Sequence, residues 1–195
     1  MIYNAALRSE KSVAACGENT RRPFFQTSRM KNSSLTIHFQ SFDGPDELPE
    51  IDRNLLAAAR ICLEKAWAPY SRFHVGAAIF MENGHVVTGT NIENAAFPLC
   101  LCAEPSALAA AKSAWPDSKP LAMAISVKNF QEENGQRKII TSPAAPCGAC
   151  RQILNEAESR YGQPIRLILQ GETGEILVFE LVKDLLPFSF GGKFL

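Results

Sequence analysis

The sequence predicts an α/β domain with helices laid on a mixed five-stranded sheet. Two observations lead there. Leu55, Leu56, Ala59 and Leu63 recur at helical spacing, while an Asn-Gly turn joins two runs of strand-forming residues. The remaining segments continue as helix, strand, helix and two strands, an order that calls for a mixed sheet under helical layers.

Taken in order, Asp52 is expected to cap a first helix running to Ala66, which Ala68-Pro69-Tyr70-Ser71 breaks. Phe73–Met81 and His85–Asn91 read as strands around the turn at Glu82-Asn83-Gly84. A small-residue helix is expected from Ala103 to Lys112, ending before Trp115-Pro116. Leu121–Val127 reads as a buried strand and Asn129–Lys138 as a polar loop. Cys147–Tyr161 opens as a turn and continues as a helix that Gly162 and Pro164 stop. Ile165–Gln170 and Ile176–Phe179 are the last strands, followed by a terminal segment at Leu185–Phe190.

Residues 1–35 lack a sustained apolar period and read as a disordered extension, with the domain at 36–195. Met30 is an alternative start. A transit peptide fits less well, because Glu10 and Glu18 break the acid-poor pattern.

The chain has 195 residues, 46% of them hydrophobic, which suits one domain with a sizeable core. Twenty basic residues balance twenty acidic ones, and no long basic run neutralises a phosphate backbone. Nucleic acid is therefore not the expected partner. No stretch of about 20 apolar residues predicts a membrane span. Without a signal-peptide core, the six cysteines point to metal ligation and a cytoplasmic location.

The chemistry concentrates in Cys102-Ala103-Glu104 and, 45 residues after Cys102, in Pro146-Cys147-Gly148-Ala149-Cys150. Three thiolates can hold one zinc ion and leave its fourth position for water. Glu104 is not needed as a ligand and is free to move protons. Both motifs fall where a helix begins, and the N-terminal N–H groups and dipole favour thiolate over thiol. Taken alone, the Cys-x-x-Cys also fits half of a zinc ribbon or a redox pair. A ribbon wants a second pair, which His38, His74 and His85 do not make, and a redox pair leaves Cys102-Ala103-Glu104 unexplained. Cys62 reads as a core thiol. Cys100 is set aside as a ligand.

Zinc deaminases combine a thiolate- or histidine-held zinc, a glutamate that is not a ligand and a Pro-Cys-x-x-Cys motif. From Asp52 to Phe190 the chain resembles the cytidine deaminase family acting on free nucleosides, in its small three-cysteine, homotetrameric type. The resemblance implies a three-layer domain, one Zn2+ per subunit on Cys102, Cys147 and Cys150, and Glu104 as the catalytic proton carrier. It implies hydrolysis of cytidine and 2′-deoxycytidine to the uridine products and ammonia, within pyrimidine salvage.

Ala68-Pro69-Tyr70-Ser71-Arg72-Phe73-His74-Val75-Gly76-Ala77-Ala78 is similar to the family's entry to its first strand, with Phe73 stacking on the base. Asn91-Ile92-Glu93-Asn94 is similar to its sugar-binding motif, with Asn91 and Glu93 on the 3′-hydroxyl. Main-chain groups at Ala103 and Pro146 would hold the base. Ala95, Phe97 and Phe190 match positions that serve a neighbouring subunit's site.

The chain departs from the family at Pro105, where an arginine usually stands beside the thiolates; Arg151 matches a second such arginine. A zinc ion on three thiolates carries net charge −1, so the missing cation bears on the metal's Lewis acidity. Two alternatives stay open: a modified or antibiotic nucleoside as substrate, and a zinc-binding homologue with impaired catalysis.

Overall fold

The computed structural model describes residues 31–192 and 195. Contacts divide the chain into a unit of residues 1–35 and a unit from Thr36 to Leu195. Residues 31–35 form neither helix nor strand, and the disorder expected of the extension otherwise lies outside the described residues.

In the second unit β1 (Gln40–Phe42) precedes α1 (Glu50–Cys62), which a single 3-10 turn prolongs over Leu63–Lys65. The hairpin β2 (Phe73–Met81) and β3 (Val86–Thr90) is followed by α2 (Ala103–Ala114) and β4 (Pro120–Asn129). The expected polar loop contains a small hairpin, β5 (Glu132–Glu133) and β6 (Gln136–Arg137). Then come α3 (Gly148–Tyr161), β7 (Arg166–Gln170), β8 (Ile176–Phe179) and a 3-10 turn at Val182–Leu185.

The main sheet has the order β1-β8-β7-β4-β2-β3. Its β4–β7 pair is parallel, and its other pairs are antiparallel. It thus has six strands rather than the expected five. The extra one is Gln40-Ser41-Phe42, too short and polar to announce itself, and held by pairing with Val178, Leu177 and Ile176.

Period-2 alternation sorts the core into two faces. Met123, Ile125, Leu167 and Leu169 face one way, with Ala103, Ala107 and Ala111 of α2 and Leu154 of α3. Ala78, Ala122, Ala124 and Ile168 face the other way, with Leu55, Leu56 and Ala59 of α1. The result is three layers. Small residues let the helices come close. A Cβ on Gly76 would sit 2.1 Å from the Ala59 carbonyl oxygen, and one on Gly89 would sit 2.2 Å from the Ala107 nitrogen.

The expected cap at Asp52 is corrected: Pro49 occupies the cap position of α1, with no side-chain cap bond. Asp52 is buried in the first turn, where its carboxylate accepts a 2.9 Å hydrogen bond from Arg166 Nε. The ion pair outcompetes the backbone for that carboxylate. The stop of α3 lies where expected, with Gly162 at φ 59° in the left-handed region.

Candidate active site

Two helix starts converge at a cavity walled by β2 and β4. Cys102 is the extended residue immediately before α2, and Cys147 holds the same position before α3. Cys150 follows in the first turn of α3. The Sγ atoms of Cys102, Cys147 and Cys150 lie within 4.8 Å of one another, and those of Cys147 and Cys150 are 3.4 Å apart. Tetrahedral zinc with Zn–S bonds of about 2.3 Å wants sulfurs roughly 3.8 Å apart, so the trio fits that ion.

The thiols already share protons. A hydrogen bond from Cys150 draws the Cys102 thiol down to about 7, against desolvation and the Glu104 charge, and Cys147 adds a second bond. Cys150 moves upward, first through that bond to Cys102 and then through burial. Of this pair, Cys102 ionises the more readily. Cys100 is outside the cluster; its sulfur accepts from the Asn94 N–H at 3.2 Å.

Glu104 is the second residue of α2 and is only 4% exposed. Burial raises its pKa above the usual carboxylate range, opposed by its own main-chain N–H and by Cys150. Pro105 follows as the third helical residue. An N–H there has no partner within a helix, so the ring costs α2 little.

Cys102, Glu104, Cys147 and Cys150 line one part of a cavity of about 480 Å³. Phe73, Val75, Ile125 and Val127 form apolar walls, and Ser71, Asn91 and Glu93 supply its polar lining. Glu93 Oε2 accepts main-chain N–H bonds from Tyr70 at 2.8 Å and Ser71 at 3.1 Å. Desolvation pushes its pKa up, but the Ser71 hydroxyl and these two N–H groups outweigh that and hold the carboxyl below its usual range. Glu93 thus lies in the cavity as an anion.

Asn91 also braces a strand. Its Oδ1 accepts from the Val75 N–H at 2.8 Å, and its Nδ2 donates to the Phe73 carbonyl at 2.9 Å. The amide clamps the start of β2 and with it the Phe73 ring. Ala103 is fully buried, and Pro146 is buried beside the thiol turn.

The guanidinium of Arg151, expected beside the thiolates, instead donates from Nε to the Pro146 carbonyl at 2.8 Å and from Nη1 to the Leu185 carbonyl at 3.0 Å. Ala95, Phe97 and Phe190 are exposed and do not line the cavity of their own chain.

Sequence reasoning missed Ser71, Val75, Ile125, Val127, Ala144 and Ala145 as lining residues. Ser71 and Val75 stand two residues either side of Phe73 within its motif, and the two alanines precede Pro146, so adjacency was an available signal. Ile125 and Val127 become wall residues only through the pairing of β4 with β2.

A family profile described as "Cytidine and deoxycytidylate deaminase zinc-binding region" matches residues 49–161. The chain belongs to this family. A cytidine deaminase of Halalkalibacterium halodurans is 39% identical over 133 residues, covering 68% of this chain and 92% of the relative. One from Mycobacterium tuberculosis is 35% identical over 148 residues, covering 74% and 93%. The crystal structure of a Burkholderia pseudomallei cytidine deaminase superposes with a TM-score of 0.58 at 36% identity, covering 70% of this chain and 97% of that one. Family and geometry together assign one zinc ion to Cys102, Cys147 and Cys150. The chain is a zinc-binding enzyme of the deaminase class. Among the described residues no helix is long and apolar enough to cross a membrane.

Proposed function

We infer that the domain at 36–195 converts cytidine and 2′-deoxycytidine, with water, to uridine or 2′-deoxyuridine and ammonia. The observation that carries this reading is the buried Glu104 beside the thiol trio, in a cavity that also contains the anionic Glu93. Zinc held by Cys102, Cys147 and Cys150 would supply Lewis acidity that makes water a nucleophile near neutral pH.

Glu104 takes the proton of the attacking water and places it on N3 of the pyrimidine as the oxygen reaches C4. It then takes the remaining proton from the new C4 hydroxyl and hands it to the departing amine, so that the C4–N bond breaks, ammonia leaves and the C4 carbonyl forms. Its raised pKa suits a group that must both accept and return a proton. The apolar walls hold the ring and exclude bulk water, with Phe73 supplying an aromatic face. Glu93 keeps Oε1 for the ribose 3′-hydroxyl, since Oε2 serves the main chain. Asn91 contributes by fixing Phe73, and the carbonyl of Pro146 and main chain of Ala103 are the partners proposed for the base edge.

Trp67, Tyr70, Ile92, Phe97, Leu99 and Leu101 are each at least 40% exposed, and bridges tie Trp67 to Ile92 and Ile92 to Leu101. Such an apolar surface supports a homo-oligomer, read here as a tetramer in which Ala95, Phe97 and Phe190 serve a neighbour's cavity. Free thiols at the metal site suit a reducing compartment, hence the cytoplasm, and the substrates suit pyrimidine salvage.

Ammonia release from cytidine by zinc-loaded protein, beside Glu104→Gln at equal zinc content, tests the reading. A loss of 100-fold or more in kcat is expected with metal retained. No turnover by either protein sinks it. That outcome is the second reading, a zinc protein with impaired catalysis, favoured by Pro105 and by a cavity lining that, among the described residues, includes no cationic side chain. Pro105→Arg would then restore turnover.

A further inference from the structure

The bonds of Arg151 leave the zinc ligands themselves untouched and instead enclose one of them. Its main-chain N–H donates to the Cys147 carbonyl at 2.9 Å, closing the first turn of α3. Its Nε reaches the preceding carbonyl, that of Pro146, at 2.8 Å. Both carbonyls flanking the Cys147 nitrogen and Cα are thus held by one residue. The second arm of the guanidinium goes to Leu185, 34 residues on, at 3.0 Å.

Leu185 belongs to a strap, residues 182–190, that α3 grips along one face. Glu158, 8% exposed, accepts from the Val182 N–H at 2.8 Å and the Lys183 N–H at 3.1 Å. Asn155 Oδ1 accepts from the Ser189 hydroxyl at 3.3 Å, and Gln152 Nε2 donates to the Phe190 carbonyl at 3.0 Å. Positions 151, 152, 155 and 158 share a helical face by their spacing. The face that grips the strap therefore starts directly after Cys150.

We propose that Arg151 is a positioning residue that couples the strap to the Pro146–Cys147 turn, so that a seated strap keeps the Cys147 and Cys150 thiolates closed on their zinc ion. Only a planar cation with several fixed donors spans two carbonyls on different segments. A lysine brings the same charge but a single donating head. The idea rests on the reading of the three thiols as a zinc site. Groups that orient metal ligands are worth roughly 10- to 100-fold in metal affinity, which sets the expected size of the effect.

The test uses full-length, zinc-loaded protein and the rate at which a chromogenic chelator strips the metal. Arg151→Gln is expected to lose zinc at least ten times faster, and hydrogen exchange over residues 182–190 is expected to quicken. Arg151→Lys should recover little of the loss, because charge alone does not bridge. Gln152→Ala combined with Asn155→Ala frees the far end of the strap and leaves the arginine in place; it should also speed zinc loss. Full rescue by lysine, or wild-type release from the strap variant, overturns the proposal. These two variants decide the matter even if Arg151→Gln fails to fold. Release is measured without substrate, so a wild type that holds zinc but spares cytidine defeats the deaminase reading and leaves this one standing.

Discussion

At the scale of single residues, the two carboxylates of the cavity are set apart by their surroundings. Glu104 is desolvated and keeps its proton more readily, whereas Glu93 is fed by N–H donors and stays ionised. Glu93→Gln removes a charged acceptor worth about 1.5–3 kcal/mol, so kcat/KM for cytidine should fall roughly 10- to 100-fold. A substrate lacking the 3′-hydroxyl should be far less sensitive; equal losses on both substrates would mean that Glu93 does not touch the ribose. The residue types at this scale were legible in the sequence, because Cys102, Glu104, Cys147 and Cys150 carry their chemistry in their spacing. What their partners would be was not. Arg151 and Asn91 each also donate to main-chain carbonyls that only the fold brings near.

Among elements, the seat of α2 on β3 decides where Cys102 and Glu104 stand. A Cβ on Gly89 would lie 2.2 Å from the Ala107 nitrogen and 2.7 Å from the Ala103 carbonyl oxygen, both backbone atoms that cannot turn aside. Gly89→Ala should therefore cost about 1–3 kcal/mol, read as a lower Tm, and should weaken zinc retention because the helix start is displaced. Unchanged metal content at a lowered Tm would detach the site from this contact.

The small hairpin β5–β6 is tied down by Glu172, which accepts from the Asn129 and Ile140 N–H groups and from Arg137. Desolvation works against the charged form, but these donors win and depress the Glu172 pKa. A depressed carboxyl stabilises the fold above its unfolded pKa, about 4.3, and that stability is lost as pH falls through the folded value. The Tm gap between wild type and Glu172→Gln should be full at pH 7 and close below pH 4; a gap that persists in acid contradicts the assignment. Helix and strand boundaries were mostly readable from periodicity. The three-residue β1 was not, since its strand character comes from its neighbour β8.

Over the whole molecule, the exposed apolar residues of the 67–70 and 92–101 segments call for cover. Leu99→Glu should shift the sedimentation profile toward smaller species and lower activity together; an unchanged profile removes this face from the interface. The layered α/β class was legible in the order of segments, but the strand order was not, because pairing joins residues far apart in sequence. The parallel pairing of β4 with β7 is the clearest case. It cannot form until the chain has run from Asn129 through α3 to Arg166, and that stretch carries two of the three thiols. Contacts this distant are slow to close. The site is therefore late in time as well as remote in sequence: a chain emerging from synthesis has Cys102 long before it has Cys147 and Cys150 held opposite, so stable zinc capture marks the completion of the fold.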